Sequence, residues 1–177
     1  ATTLPRPLDE AHQKADGILT NLPEITLLMR FADCVPIMLY DPVKRAVGLV
    51  HAGWQGTVKL IAAEAVHQMQ VQYGCRPADI LAGSGPSIGV DHYEVGEDVI
   101  NRVEAAFGDY SRHLLVGRNH NKAHLDLWQA NKWVLESCGV KNIEIAGICT
   151  ACNQQDWYSH RGEHGKTGRF GAVIYLK

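Results

Sequence analysis

The stretch FADCVPIMLYDPVKRAVGLVHAGWQGT, residues 31–57, restricts the fold of this chain more than any other segment. It contains two apolar runs, 35–40 and 46–52, of the aliphatic and β-branched kind that is typical of strands. The sequence DPVKR between them combines aspartate and proline, which favour a tight turn. We therefore predict an antiparallel β-hairpin.

Other segments predict further strands and helices. Asp126 is an expected N-cap for a helix that begins at the next residue. Because strands occur both as a hairpin and in strand–helix–strand order, we expect a single α+β domain, 1–177, with a mixed sheet and packed helices. The predicted strands are 25–31, 35–40, 46–52, the start of 79–89, 142–148 and 171–176, and the predicted helices are 57–73, 97–107 and 127–138.

Composition excludes several classes of partner. A formal net charge of −2 provides no basic surface, so we expect neither nucleic acid nor a membrane as a partner. The five cysteines form an odd and scattered set, unlike a secreted disulfide framework, which predicts a reducing cytoplasmic compartment. A small-molecule substrate is the expected partner, and the oligomeric state is not indicated.

Cys34 and His51 are the first candidates for chemistry. If the turn is centred on 42–44, His51 lies opposite Val35 and therefore next to Cys34. A thiolate and an imidazole suit zinc or copper, and they equally suit a Cys–His nucleophile pair. A buried structural cysteine is the alternative, because free cysteine is often buried in protein cores.

The glycine turn after His51 leads into a predicted helix and leaves backbone N–H groups free, which predicts an anion-binding or phosphate-binding position. Further along, Glu94 and Asp98 are weaker catalytic candidates, since acidic residues also stabilise the start of a helix. The polar tail predicts either a solvated loop or a substrate rim formed by Ser159, His160, Arg161, Thr167 and Arg169.

The pair of cysteines in CTAC, 149–152, is the more familiar signal for a metal or redox site. A structural zinc needs four ligands, and no second C-x-x-C or spaced pair of histidines accompanies it. We therefore interpret these two residues as loop or strand-end cysteines.

Five segments follow one another along the chain: ADCVPI, HAGWQG, GPSIG with YEVGEDV, HLDLWQAN, and CT with WYSHRGEHGKTGRFGAVI. Together they resemble the YfiH family, also called the laccase-domain or polyphenol oxidase-like family. The resemblance implies an α+β fold shared with the toxin domain of cytotoxic necrotizing factor. It also implies a metal held by two histidines and one cysteine, of which Cys34 and His51 are present. The third histidine belongs to a Q-V-H-G segment that this chain lacks, and His12 is too close to Asp16 to replace it. We therefore expect an N-terminally truncated member whose third ligand precedes Ala1.

The activity implied by the resemblance is zinc-dependent phosphorolysis of adenosine, inosine or methylthioadenosine, with related adenosine deamination. Cys34 and His51 would be the catalytic and metal-binding residues, and Asp33, Gly53, Trp54, Arg161 and Arg169 would contact the substrate. The alternatives are a copper-dependent polyphenol oxidase, a metal-free Cys–His hydrolase and a non-enzymatic binding module. The segment 90–92 departs from the P-C-C-Y-E-V-G version found in relatives, a difference from which we expect little consequence.

Overall fold

The computed structural model describes residues 15–177, and the predicted hairpin is its central element. Strand β3, Val35–Asp41, pairs antiparallel with β4, Ala46–Ala52. The carboxylate of Asp41 accepts hydrogen bonds from the backbone N–H groups of Val43 (2.8 Å) and Lys44 (2.9 Å). This aspartate turn closes the reversal as the sequence predicted.

The hairpin forms the middle of a five-stranded sheet with the order β1–β4–β3–β5–β9. The last two strands pair in parallel and all other neighbours are antiparallel, so the predicted mixed sheet is confirmed. Two smaller antiparallel sheets have the orders β10–β2 and β6–β8–β7. The other strands are β1 Gly17–Thr20, β2 Leu27–Phe31, β5 Leu81–Ser84, β6 Glu94–Gly96, β7 Leu115–Asn119, β8 Lys122–Leu125, β9 Asn142–Ile145 and β10 Phe170–Ile174.

The five-stranded sheet has different coverings on its two faces. One face packs against the helices and the larger core, whereas the other packs against β2 and β10 around Phe31 and Leu49. Because strand side chains alternate between faces, His51 lies on the same side as Leu49, toward β2 and β10. The helices are α1 Trp54–Val58, α2 Ile61–Tyr73, α3 Glu97–Phe107, α4 Ser111–Leu114 and α5 Leu127–Ser137.

The prediction of one continuous helix at 57–73 is wrong in one respect, because the structure divides this segment between α1 and α2. Leu60 has a left-handed backbone with φ of 57°, which interrupts the helical path between them.

The N-cap prediction is confirmed, because the Asp126 carboxylate accepts a hydrogen bond from the Gln129 backbone N–H at 2.9 Å. Within residues 15–177, no helix is long and apolar enough to cross a membrane.

Candidate active site

The open end of the hairpin brings Cys34 and His51 together. The strand register places His51 opposite Pro36, so the predicted pairing with Val35 is wrong by one residue. The side chains of residue 34 and of Pro36 share one face by strand periodicity, and this is the face on which His51 lies. The thiol and the imidazole therefore meet on the side of the sheet that is covered by β2 and β10.

Gly53 makes the close approach of these two side chains possible. A Cβ atom at this position would lie 2.8 Å from Cys34 Sγ and 4.0 Å from His51 Cε1. The first distance is shorter than a real Cβ contact, so any side chain here would displace the thiol. Cys34 and His51 thus flank the same small space above the Gly53 backbone.

This space belongs to a cavity of about 410 Å³ that also receives charged and aromatic side chains. A neighbouring depression of about 280 Å³ shares Arg30 and His51 with it. The cavity is lined by Arg30, Ala32, Asp33, Cys34, His51, Trp54, Tyr93, His160, Arg161 and Arg169.

The imidazole of His51 is oriented by Asp16. Its Nδ1 lies 3.3 Å from Asp16 Oδ1, and its backbone N–H donates to the Asp16 carbonyl at 2.7 Å. The ring also packs against Phe31, with 5.3 Å between centroids. A carboxylate on one ring nitrogen leaves the other, Nε2, as the one available to a metal or a proton, which is typical of metal-ligating histidines.

Cys34 is a free cysteine that is only partly exposed. Burial, with a smaller contribution from the charge of Asp33, raises the pKa of this thiol to about 11, although Arg169 acts in the opposite direction. At neutral pH a thiol of this kind becomes a thiolate only when a cation binds to it.

Asp33 connects the start of β3 to the C-terminal loop. Its buried carboxylate accepts hydrogen bonds from Thr150 Oγ1 (2.8 Å), Ser159 Oγ (2.7 Å) and the Arg161 backbone N–H (2.6 Å). Its backbone has φ of 79°, a conformation that aspartate and asparagine tolerate better than most residues. Ser159, expected at the substrate rim, is buried against this carboxylate instead. Asp33 lines the cavity, and its contact with substrate stays a prediction.

Two arginines of the tail, Arg161 and Arg169, line the cavity. Arg161 lies over the ring of Tyr93, 5.1 Å from its centroid, and donates to the Glu94 carbonyl at 2.8 Å. Arg169 donates to the carbonyl oxygens of Thr167 (3.2 Å) and residue 168 (2.6 Å). Among residues 15–177, neither guanidinium lies within salt-bridge distance of a carboxylate. Carbonyl and ring contacts orient these cations without neutralising them, which suits an anionic ligand.

The predicted anion site at the glycine turn needs a correction. Gly53 does precede a helix, but α1 has only five residues, so its dipole is small. The arginines are therefore the main source of positive charge. Glu94 forms an ion pair with Lys122 at 2.7 Å, and Asp98 lies in the first turn of α3, so neither weaker candidate lines the cavity.

Sequence reasoning missed Asp16, Arg30 and Tyr93 as parts of this site. Arg30 carried a usable signal, because it is a charged residue inside the apolar strand LLMRF, and it lines the same cavity as Cys34. Asp16 lies ahead of β1 and has no local pattern that distinguishes it. His12, which the sequence excluded as the third ligand, lies outside the described residues.

This fold is that of the laccase-domain class. A family model described as multi-copper polyphenol oxidoreductase laccase matches residues 2–177, and the chain belongs to this family, which includes the YfiH and YlmD proteins. The crystal structure of Bacillus licheniformis YfiH superposes with a TM-score of 0.88 at 38% identity, covering 92% of this chain and 61% of that one. The expected α+β fold is thus confirmed.

Curated relatives carry enzyme names. The purine nucleoside phosphorylase YlmD of Bacillus subtilis (strain 168) is 41% identical over 94% of this chain and 60% of its own length. The adenosine deaminase RL5, from an unknown prokaryotic organism, is 36% identical over 97% of this chain and 68% of its own length. The chain spans about 60% of the length of the first of these relatives.

Proposed function

We propose that this chain carries the cysteine and one histidine ligand of a zinc-dependent purine nucleoside phosphorylase, with adenosine deamination as a second reaction of the same site. One observation carries the proposal. Cys34 and His51 flank the space above Gly53 in a cavity that also receives the free guanidinium groups of Arg161 and Arg169. Metal-binding donors beside anion-binding groups suit a reaction between phosphate and a nucleoside.

The donor pair fits zinc. Thiolate and imidazole are preferred zinc ligands, and Asp16 supplies the outer hydrogen bond that orients His51. The family resemblance implies a further histidine ligand, so Cys34 and His51 would be two of three. When bound, zinc would supply a Lewis acid that polarises a phosphate or water oxygen.

The remaining residues bind and orient the reactants. Arg161 and Arg169 present planar guanidinium groups that can hold phosphate through paired hydrogen bonds. Trp54 and Tyr93 provide aromatic walls that a purine can contact. A phosphate oxygen held there attacks the ribose C1′, and the purine leaves with the electrons of the glycosidic bond. In deamination, water attacks the purine C6 and ammonia leaves.

The metal-free hydrolase is less well supported, because a Cys–His nucleophile needs a thiolate. Burial raises the pKa of the Cys34 thiol to about 11, so the fraction present as thiolate is small at neutral pH.

The copper oxidase is also less well supported. The nine histidines include no H-x-H pair of the kind expected for a multicopper cluster, so sustained four-electron reduction of oxygen lacks its metal sites.

The test combines product analysis with a matched pair of arginine variants. The zinc-loaded protein is incubated with adenosine and phosphate, and adenine, ribose-1-phosphate and inosine are separated by chromatography. Arg169→Ala should raise KM for phosphate about 10- to 100-fold, since a charge-assisted hydrogen bond is lost. Arg118→Ala is the control, because Arg118 lies outside the cavity and pairs with Glu104. The absence of all three products with zinc bound contradicts the proposal, as does an equal KM in both variants.

A further inference from the structure

A second group of metal-binding side chains lies outside the cavity described above. His92 Nδ1 is 3.5 Å from Cys152 Sγ and 3.8 Å from Cys149 Sγ. One donor atom from each of the three residues lies within 4.8 Å of the other two. The two C-x-x-C cysteines lie at an isolated bridge and in a loop, as expected, but the fold also brings a histidine to them, which the sequence did not indicate. His92 lies in the segment 90–92, and the expectation that the difference there has little consequence stays a prediction.

The backbone holds the two contributing loops in register. Ser87 and Cys149 form an isolated parallel bridge. The Ser87 N–H donates to the Ile148 carbonyl, and the Thr150 N–H donates to the Ser87 carbonyl, both at 3.1 Å. Ser87 is itself buried and accepts a hydrogen bond from Trp128 Nε1 at 2.7 Å. The approach of the two loops is thus a fixed feature of the fold.

Each loop also places its donor atoms. Asn153 closes the C-x-x-C turn by donating to the Cys149 carbonyl from its backbone N–H (3.2 Å) and its side-chain amide (2.8 Å). On the facing loop, His92 ends a short 3-10 turn that begins at Val90. Its Nδ1 therefore faces both sulfur atoms while its backbone stays bonded within the turn.

Gly89 supplies an outer-sphere contact to the group. Its N–H donates to Cys149 Sγ at 3.2 Å, a bond that stabilises a thiolate ligand. A Cβ atom here would lie 3.2 Å from Cys149 Cβ, 3.3 Å from its Sγ and 3.4 Å from the Trp128 ring. The close packing of backbone against sulfur thus favours glycine at this position.

The distances agree with those of a zinc site. Tetrahedral zinc, with Zn–S of ~2.3 Å and Zn–N of ~2.0–2.1 Å, places a nitrogen and a sulfur ligand about 3.6 Å apart. The two observed nitrogen–sulfur distances, 3.5 and 3.8 Å, bracket this value. The three donors therefore need little rearrangement to coordinate a common ion.

We propose that His92, Cys149 and Cys152 form a zinc site that clips the loop 87–93 to the loop 149–153, with water as the fourth ligand. Binding of Zn²⁺ releases the two thiol protons to solvent and involves no redox change. Tyr93, the neighbour of His92, lines the cavity, so the clip would steady one wall of the active site. The site is independent of the proposed activity.

The test measures zinc in a Cys34→Ser background, where the cavity has lost its thiol ligand. The full chain is equilibrated with zinc under a thiol-free reductant and passed over a desalting column, and bound zinc is measured by mass spectrometry and competitive chelation. About one zinc equivalent should remain in Cys34→Ser. Adding Cys152→Ser or His92→Asn should weaken zinc affinity more than about 100-fold, beyond the loss that follows removal of an outer-sphere partner.

Cys138→Ser in the same background is the matched control, because Cys138 is a partly buried free cysteine at the end of α5 and outside the group. It should leave the affinity unchanged. Cobalt substitution should give a thiolate charge-transfer band in Cys34→Ser that is lost in Cys34→Ser/Cys152→Ser. The proposal is overturned by equal zinc affinity in all these variants, or by a Cys149–Cys152 disulfide that persists in zinc-loaded protein.

Discussion

Two groups of side chains in this protein contain similar donor atoms, but the chain assembles them differently. The first is Cys34 and His51 in the cavity, and the second is His92 with Cys149 and Cys152. Cys34 and His51 stand at the open end of one hairpin, so local strand register brings them together. His92 is separated from Cys149 by 57 residues and from Cys152 by 60, and the residues meet through loops. A site is predictable from the sequence when a short turn separates its residues. It is not predictable when its residues lie far apart along the chain.

The surroundings of the two groups also differ. The first lies in a cavity of about 410 Å³ with free arginine charges. In the second group the side chains of His92 and Cys152 are exposed, and Asp91 lies nearby. A hydrogen bond with Cys149 is the main cause of the raised pKa of the Cys152 thiol, and the Asp91 charge contributes less. We infer that the first group serves chemistry on an anionic reactant and the second serves structure.

Removal of a ligand should distinguish the two groups most strongly. We expect Cys34→Ser and His51→Ala to lower kcat/KM for adenosine phosphorolysis at least about 1000-fold, because both remove groups that act together at the reacting centre. Cys152→Ser should keep kcat/KM within about threefold. Steady-state kinetics on zinc-loaded protein provides the measurement, and an equal loss in Cys152→Ser would remove the distinction.

The acidity of Cys34 gives the next largest effect. Its thiol has a pKa near 11 in the folded protein against an ordinary value of 9.0. In metal-free protein, the rate of alkylation by iodoacetamide should therefore reach half of its maximum near pH 11, whereas in urea it should do so near pH 9. Mass spectrometry of the Cys34 peptide measures both profiles.

The same shift predicts a loss of folding stability at high pH. Below pH 9 the thiol is neutral in the folded and the unfolded chain, so it makes no difference. Between pH 9 and 11 the unfolded chain ionises first, and the free energy of unfolding falls. A Cys34→Ala variant should lack this part of the pH dependence, and identical pH profiles would argue against the raised pKa.

Asp33→Asn should lower the free energy of unfolding by about 2 kcal/mol, because an amide nitrogen would face donors that now find a carboxylate oxygen. Asparagine tolerates the positive φ at this position, so the change isolates the hydrogen bonds. Asp16→Asn, at an exposed carboxylate, should cost less than about 0.5 kcal/mol. Urea unfolding of the two variants tests this, and equal values would contradict the connecting role of Asp33.

The two glycines beside the sulfur atoms should give the smallest effects. An added Cβ would lie 2.8 Å from Cys34 Sγ at Gly53, but 3.3 Å from Cys149 Sγ at Gly89. We expect Gly53→Ala to weaken zinc binding in the cavity about tenfold and Gly89→Ala to weaken the second site a fewfold. Gly171→Ala, where a Cβ meets no atom within 4 Å, is the control, and competitive chelation is the measurement.

Elements with strong local signals were predictable from the sequence. The hairpin strands and α3 were predicted almost to the residue, and Asp126 was correctly predicted as the cap of α5. The errors occur where tertiary contacts decide the backbone. Leu60 adopts a left-handed conformation that no local pattern indicated, and the short strands of the β6–β8–β7 sheet have little periodicity to detect.

The sequence by itself determined the mixed α+β class, the hairpin and the neighbouring positions of Cys34 and His51, because alternating strand periodicity and turn chemistry act over short distances along the chain. Only the tertiary structure decided that Asp16 orients His51, that Asp33 ties the C-terminal loop to β3, and that His92 meets the C-x-x-C cysteines. These contacts join segments that are remote in sequence. Their partners are selected by the packing of the whole sheet and its loops, which no local pattern records.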